Sequence, residues 1–207
     1  MIKHNIQQGS EAWHDIRCGK FTASIFSDVV AGESTDTYKK LINNIAGQVI
    51  SGISEPTYSN ANMERGIELE PFAAKVYEDL MQGLDVQECG FISPEDNALI
   101  DWVGISPDRL VGENGGLEIK CPLMNTHLNY LRADKLPNEY KWQVQGSLFI
   151  TGLEWWDFMS YYPNMKPFLI RVYPDLDMHE TLKTRLLKGI EDVKDVIKMY
   201  DNYSIEQ

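Results

Sequence analysis

GISPDRLVGENGGLEIK, residues 104 to 120, reads as a β-hairpin that gathers Asp108, Glu118 and Lys120. Its second arm, Leu117 to Lys120, has extended character. The period of two along a strand sends Glu118 and Lys120 to one face and Ile119 to the other. Between the arms, Gly112, Asn114, Gly115 and Gly116 are expected to supply the positive φ angles of a turn. The hairpin then folds Asp108 back towards Glu118, ten residues further along the chain. Two carboxylates and an ammonium converge on one point. Such carboxylates repel each other unless a hard divalent cation sits between them, and all-oxygen ligands suit Mg²⁺.

The pattern Asp-(x)n-Glu-x-Lys matches what hydrolysis of a phosphodiester requires. Charge on a non-bridging oxygen must be neutralised, and a water must lose a proton to become a nucleophile. Asp108, Glu118 and the backbone carbonyl of Ile119 can hold the cation that does the first. Lys120, on the Glu118 face, can orient the attacking water and lower its pKa. The triplet is short, and a solvated hairpin with charges at i and i+2 is the competing reading. The flanking segments decide between them.

At 207 residues the chain can bury a substantial core, and a single domain over residues 1–207 is expected. No apolar run approaches the length of a membrane span, and MIKHNIQQGS lacks the apolar region of a signal peptide. Three cysteines (Cys18, Cys89 and Cys121) have no CxxC spacing, which argues against zinc or an iron–sulfur cluster. Their odd number suits a reducing compartment, so a cytoplasmic protein without membrane contact is expected. The net charge of −12 counts against a tight, non-specific DNA binder. Part of the acid excess can be metal ligands, and a basic channel can coexist with an acidic exterior.

The order of elements is α/β, without repeats or an obvious linker. Ser10 is the N-cap of a short helix over 10–18. Helices are predicted over 22–30 and 37–50. In the next helix Leu69, Phe72, Ala73, Val76, Tyr77 and Leu80 form a core-facing stripe. Pro71 marks its first turn or a kink, which places Glu70 near the helix N-terminus. Strands at 85–92 and 98–105 precede the hairpin. Helices at 124–132 and 138–150 follow, then strands at 155–162 and 167–173, where Trp155, Trp156 and Phe158 read as core. A long amphipathic helix over 175–200 closes the chain, its lysines and Arg185 either solvated or lining DNA. The fold class this implies is a central mixed β-sheet flanked by helices.

Further segments carry a resemblance to a known family. QGSEAWHDIRCGKFTASIFSDVV (8–30), MERGIELEPFAAKVYE (63–78) and YKWQVQGSLFITG (140–152) stand around SPD and LEIKCP in a fixed order. Together they resemble the phage λ exonuclease and YqaJ-type viral recombinase family, whose fold is the restriction-endonuclease-like PD-(D/E)XK core. The resemblance spans residues 8 to 162.

The resemblance implies roles residue by residue. Asp108 and Glu118 match metal-binding acids, Ile119 the carbonyl donor, and Lys120 the catalytic lysine. Glu70 matches a helix-borne acid completing the active site; otherwise it is an acid favoured by the helix dipole. Arg17, Ser24, Ser106 and Gln143 match positions that bind the 5′-phosphate of the strand being degraded. Guanidinium, hydroxyls and an amide do make an anion pocket. The competing readings are an Arg17 ion pair with Asp15 or Glu11, a turn role for Ser106 and a core amide for Gln143. A further acid, Asp96 or Asp101, competes for a second metal site.

The implied activity is a Mg²⁺-dependent 5′→3′ exonuclease on double-stranded DNA ends, with Mn²⁺ able to substitute. The implied partners are duplex ends, a single-strand annealing protein, and further copies of the chain in a ring-shaped trimer of bacteriophage type. A PD-(D/E)XK endonuclease and a non-catalytic DNA-binding subunit are the alternatives.

Overall fold

The computed structural model describes residues 1–54 and 61–204. In chain order the elements are β1 (Ile2–His4), α1 (Glu11–Arg17), β2 (Phe21–Thr22), α2 (Phe26–Val29), α3 (Asp36–Ser51) and α4 (Ala61–Leu80). Next come β3 (Val86–Gln87), β4 (Phe91–Ser93), β5 (Val103–Gly104), β6 (Arg109–Val111) and β7 (Gly115–Lys120). The chain ends with α5 (Met124–Ala133), α6 (Lys141–Thr151), β8 (Trp155–Ser160), β9 (Phe168–Val172) and α7 (Leu176–Asp201). Local chemistry sets several boundaries. The side chains of Ser10, Thr35 and Asp175 accept the backbone N–H groups of Trp13, Tyr38 and Met178 at the starts of α1, α3 and α7. Gly52 and Gly152 end α3 and α6 in the left-handed region.

The central sheet has five strands in the order β3-β6-β7-β8-β9. The pair β7–β8 is parallel and the others are antiparallel. Parallel β7 and β8 need a crossover, and α5 and α6 provide it. Two short pairs, β1–β4 and β2–β5, attach beside the sheet and are tied by an Ile92–Ile105 bridge. The mixed sheet between helical layers is the expected class.

Alternation along β7 and β8 divides the core. Leu117, Ile119 and Met159 pack with Ala73, Ala74 and Tyr77 of α4 on one face. Trp156 and Phe158 point to the other face and pack with buried residues of α2, α3, α6 and α7. Burying these apolar faces contributes about 25 cal/mol per Å². Glu118 and Lys120 share the second face, as their period of two requires.

Several sequence expectations change. Residues 22–30 are not one helix: Thr22 ends β2, a 3-10 turn spans Ala23–Ile25, and α2 is four residues long. Pro71 lies inside α4, so Glu70 is mid-helix and the dipole reading of its charge fails. In the predicted α4 stripe, Phe72 and Leu80 are 63% and 53% exposed, while Ala74 is buried. The strands over 85–92 and 98–105 contract to β3, β4 and β5, with a turn before Val103. Of the hairpin glycines, Gly112 has a positive φ, of 57°. Gly115 and Gly116 lie in β7, where an added Cβ would come within 2.2 Å of Trp155 and 2.3 Å of Trp156 ring atoms. They are glycines because indole rings cover them. Three of the five lysines and arginines of α7 form ion pairs within the chain: Lys183 with Asp96, Arg185 with Glu33 and Lys188 with Asp192. No helix among the described residues is long and apolar enough to cross a membrane.

Candidate active site

Asp108 sits at the bend before β6, and β7 carries Glu118 and Lys120 across from it. The structure brings all three together. Glu118 is 3% exposed. Its Oε1 accepts from Lys120 Nζ and from Gln143 Nε2 of α6, the latter at 2.6 Å. Oδ2 of Asp108 accepts from Ile119 N–H at 2.5 Å. An extended residue points its N–H and C=O to the same edge, so the Ile119 carbonyl faces the Asp108 edge as well. The β6–β7 ladder ends at Arg109, and continuing its register would put Pro107 opposite Ile119. Proline has no N–H to offer that carbonyl.

Two carboxylates and a strand-edge carbonyl form an all-oxygen donor set that fits a hard divalent cation. The described residues contain no cluster of three or more His, Cys, Asp or Glu side chains arranged to hold a metal. A cation here therefore depends on Asp108, Glu118, the Ile119 carbonyl and water, as suits Mg²⁺.

The electrostatics are those of a crowded acidic site. Burial, then the charges of Glu118 and Glu70, push the Asp108 carboxyl well above the usual carboxylate range, against the opposing Lys120 charge and the Ile119 N–H. Burial by itself would push the Lys120 ammonium down, but Glu118 and Asp108 outweigh it and the net shift is upward. A carboxyl raised in the folded state favours folding in full below its ordinary pKa, and that contribution is lost as pH rises through the raised value. A divalent cation held by Asp108 and Glu118 would offset the loss by binding the ionised form. The melting temperature gained by adding Mg²⁺ or Ca²⁺ over EDTA is therefore expected to grow from acidic to alkaline pH. Asp108→Asn should flatten that growth; thermal melts over a pH series check it, and an undiminished slope in the variant would refute it.

Glu70 reaches the site from α4, on the other side of the sheet. Arg109 Nη1 donates to its Oε1 at 3.2 Å and also to the Asp108 carbonyl, while Nη2 lies 3.6 Å from Glu88. Arg109 thus sets where the Glu70 charge stands relative to Asp108. Asp96 is held by Lys183 at 2.9 Å and by Ala98 N–H, and Asp101 accepts Lys20 through its carbonyl. Neither is among the charges that shift Asp108; Glu70 is.

A second cluster is built on α1 and the strand preceding Asp108. Arg17 Nη1 donates to Ser106 Oγ at 2.9 Å, and Nη2 reaches Thr22 Oγ1 at 3.5 Å. Thr22 Oγ1 lies 3.4 Å from Ser24 Oγ. The guanidinium stacks 4.2 Å over the Trp13 ring, and Trp13 Nε1 donates to Ser106 Oγ at 2.9 Å. Arg17 makes no ion pair with Asp15, Glu11 or another described carboxylate; hydroxyls are its partners. Burial pushes its pKa down to about 10, yet it stays charged at neutral pH. A desolvated cation surrounded by hydroxyls suits an anion. Gln143 is not joined to this cluster by a hydrogen bond; it belongs to Glu118. Ser106 and Asp108 are two residues apart, so the clusters lie within about 7 Å along the chain.

Four residues of the site carried no assigned role at the sequence level. Trp13 and Thr22 lay inside a motif block without a function of their own. Arg109 follows Asp108 but alternates to the opposite face. Tyr140, whose ring centroid is 5.3 Å from Lys120 Nζ, precedes the helix carrying Gln143.

A central mixed sheet presenting Asp108, Glu118 and Lys120 from one hairpin is a nuclease core of the PD-(D/E)XK type. Residues 12–154 match the family model of the YqaJ-like viral recombinase domain, and the chain belongs to that family. Among solved structures it is similar to the alkaline exonuclease LHK-Exo from Laribacter hongkongensis, at 32% identity and a TM-score of 0.84. That match covers 93% of this chain and 96% of the other. The complex of LHK-Exo with dAMP matches with the same identity and TM-score over 92% of this chain. A phage-related exonuclease from Haemophilus somnus 129PT shares the fold at 15% identity, a TM-score of 0.65 and coverage of 87% of this chain and 96% of that one. No curated protein matches the sequence.

Proposed function

We propose that the protein is a Mg²⁺-dependent 5′→3′ exonuclease that acts on double-stranded DNA ends, with residues 1–207 as one exonuclease domain. It removes the 5′-ended strand as mononucleotides and leaves a 3′ overhang for recombination by strand annealing. The observation that carries this reading is the desolvated, carboxylate-free Arg17, hydrogen-bonded to Ser106, which stands two residues before Asp108 of the acidic cluster. An anion pocket beside a hydrolytic centre holds a terminal phosphate while the next phosphodiester is cut.

A divalent cation, Mg²⁺ or Mn²⁺, bound by Asp108, Glu118 and the Ile119 carbonyl would neutralise phosphate charge and lower the pKa of water. Lys120 orients the attacking water and offsets charge as it develops. Gln143 and Lys120 share one oxygen of Glu118 and so fix the rotamer of that carboxylate. Glu70, steered by Arg109, adds negative charge near Asp108. Arg17, Ser106 and Ser24 hold the 5′-phosphate and draw the strand forward after each cut. The dAMP bound to LHK-Exo is in keeping with a mononucleotide product. A ring-shaped trimer, a single-strand annealing partner and a cytoplasmic site of action rest on the family resemblance.

The test is digestion of linear duplex DNA with a 5′-phosphate on one strand, beside a closed circle, in Mg²⁺ and in EDTA. Loss of the 5′-phosphorylated strand in Mg²⁺, with the circle spared, is the expected result. Cutting of the circle would replace the reading with an endonuclease; binding without cleavage would replace it with a non-catalytic subunit. Arg17→Ala should raise KM for 5′-phosphorylated ends about 10- to 100-fold, since hydrogen bonds between charged groups are worth roughly 1.5–3 kcal/mol. Steady-state rates over a range of end concentrations measure it.

A further inference from the structure

The Ser106 hydroxyl is the point where the anion cluster can discriminate. A hydroxyl has two lone pairs to accept with and one hydrogen to donate. In the structure both acceptor positions are filled, by Trp13 Nε1–H at 2.9 Å and by Arg17 Nη1–H at 2.9 Å. The indole N–H also approaches the Gly90 carbonyl, at the longer distance of 3.2 Å. Among the described residues the Ser106 hydrogen has no acceptor. It is left to donate to whatever enters the pocket, and two donors on its oxygen polarise it.

We propose that Trp13 is a specificity-determining positioning residue: with Arg17, its indole N–H restricts the Ser106 hydroxyl to donating, so that the pocket selects a terminal phosphate over a terminal hydroxyl. This rests on the 5′-phosphate reading of the pocket. A phosphate dianion is an acceptor and suits the donors that Arg17 and Ser106 present. A 5′-hydroxyl placed at Ser106 brings a hydrogen that needs an acceptor, and neither Arg17 nor a saturated Ser106 provides one; Thr22 Oγ1 already accepts from Arg17 at 3.5 Å and lies 3.4 Å from Ser24 Oγ. An unpaired polar group in a half-buried site is what makes such discrimination large. Without the indole N–H, one Ser106 lone pair reopens and the hydroxyl can turn to accept. The pocket then tolerates the wrong terminus.

The experiment compares initial digestion rates on duplexes that differ only in a 5′-phosphate or 5′-hydroxyl, for wild type, Trp13→Phe, Ser106→Ala and the double variant. The ratio of the two rates cancels any loss of folded enzyme. Benzothienylalanine at position 13 keeps the ring shape without the N–H and covers a failure of the Phe variant to fold. The expected result is a wild-type preference for phosphate that falls about tenfold in Trp13→Phe, with no further fall in the double variant. A wild type without preference would overturn the phosphate reading itself. A wild-type preference kept in Trp13→Phe and in the benzothienyl protein would overturn the Trp13 assignment alone. So would additive losses in the double variant, because Trp13 would then act independently of Ser106.

Discussion

Lys120→Ala is expected to lower the rate of strand cleavage about 10³-fold or more while binding of duplex ends persists. Two roles for this lysine predict opposite responses to Mg²⁺. If Lys120 only balances Glu118, with which it is hydrogen-bonded, then its loss leaves two buried carboxylates that attract a cation more strongly. High Mg²⁺ would restore cleavage. If it orients the nucleophile, the cation binds as well or better and cleavage stays lost. The geometry favours orientation. The ammonium is fixed from two sides, by Glu118 and by the face of Tyr140 at 5.3 Å, and Glu118 is itself pinned by Gln143 at 2.6 Å. Groups that only neutralise charge need no such fixing. Single-turnover digestion across a Mg²⁺ series, paired with the melting-temperature shift caused by the cation, separates the two. Recovery of near-wild-type cleavage at high Mg²⁺ would sink the orienting role.

Much of this site was legible in the sequence because its chemistry is local. Glu118, Ile119 and Lys120 lie on one strand, and a period of two is enough to place their side chains. Asp108 is brought in by the turn of the same hairpin. What escaped depends on contacts between distant segments. Gly115 and Gly116 read as turn glycines, yet the reason for them is Trp155 and Trp156, some forty residues away. Pro71 reads as a first turn or a kink; it lies inside α4, where Ala73, Ala74 and Tyr77 bury against the sheet and carry the helix through it, so packing overrides the local cost of proline. Arg109 could have been suspected from its place after Asp108. Its partner Glu70 is 39 positions away, and nothing in periodicity pairs them. Gln143 was expected to bind the 5′-phosphate; in the structure its amide donates to Glu118 Oε1. The net charge of −12 was a weak guide. Lys183, Arg185 and Lys188 of α7 are spent on internal ion pairs, and the proposed anion site rests on one half-buried arginine.

Asp157→Ala is expected to destabilise the protein by about 3 kcal/mol. At this chain length that is a fall of roughly 6–12 °C in melting temperature. Asp157 is 1% exposed, on the α4 face of β8. Arg171, its cross-strand partner on β9, donates to it from Nε at 2.8 Å and Nη2 at 2.9 Å. The Tyr77 hydroxyl of α4 donates to Oδ2 at 2.7 Å. Removing the carboxylate strands a buried hydroxyl and one end of a guanidinium. Arg171 is 36% exposed and stacked 3.5 Å from the Trp155 ring, so water takes up part of its charge and the low end of the range for broken buried pairs applies. Tyr77→Phe in the Asp157→Ala background should cost little more, because the hydroxyl it removes has already lost its acceptor. Denaturant melts of the single and double variants measure both terms; a cost below about 1 kcal/mol for Asp157→Ala would show that Arg171 and Tyr77 find water instead. The consequence reaches the site, since Tyr77 and Glu70 are two turns apart on α4. A helix no longer anchored to β8 would let the Glu70–Arg109 pair drift from Asp108, and the cation-induced rise in melting temperature should shrink with it.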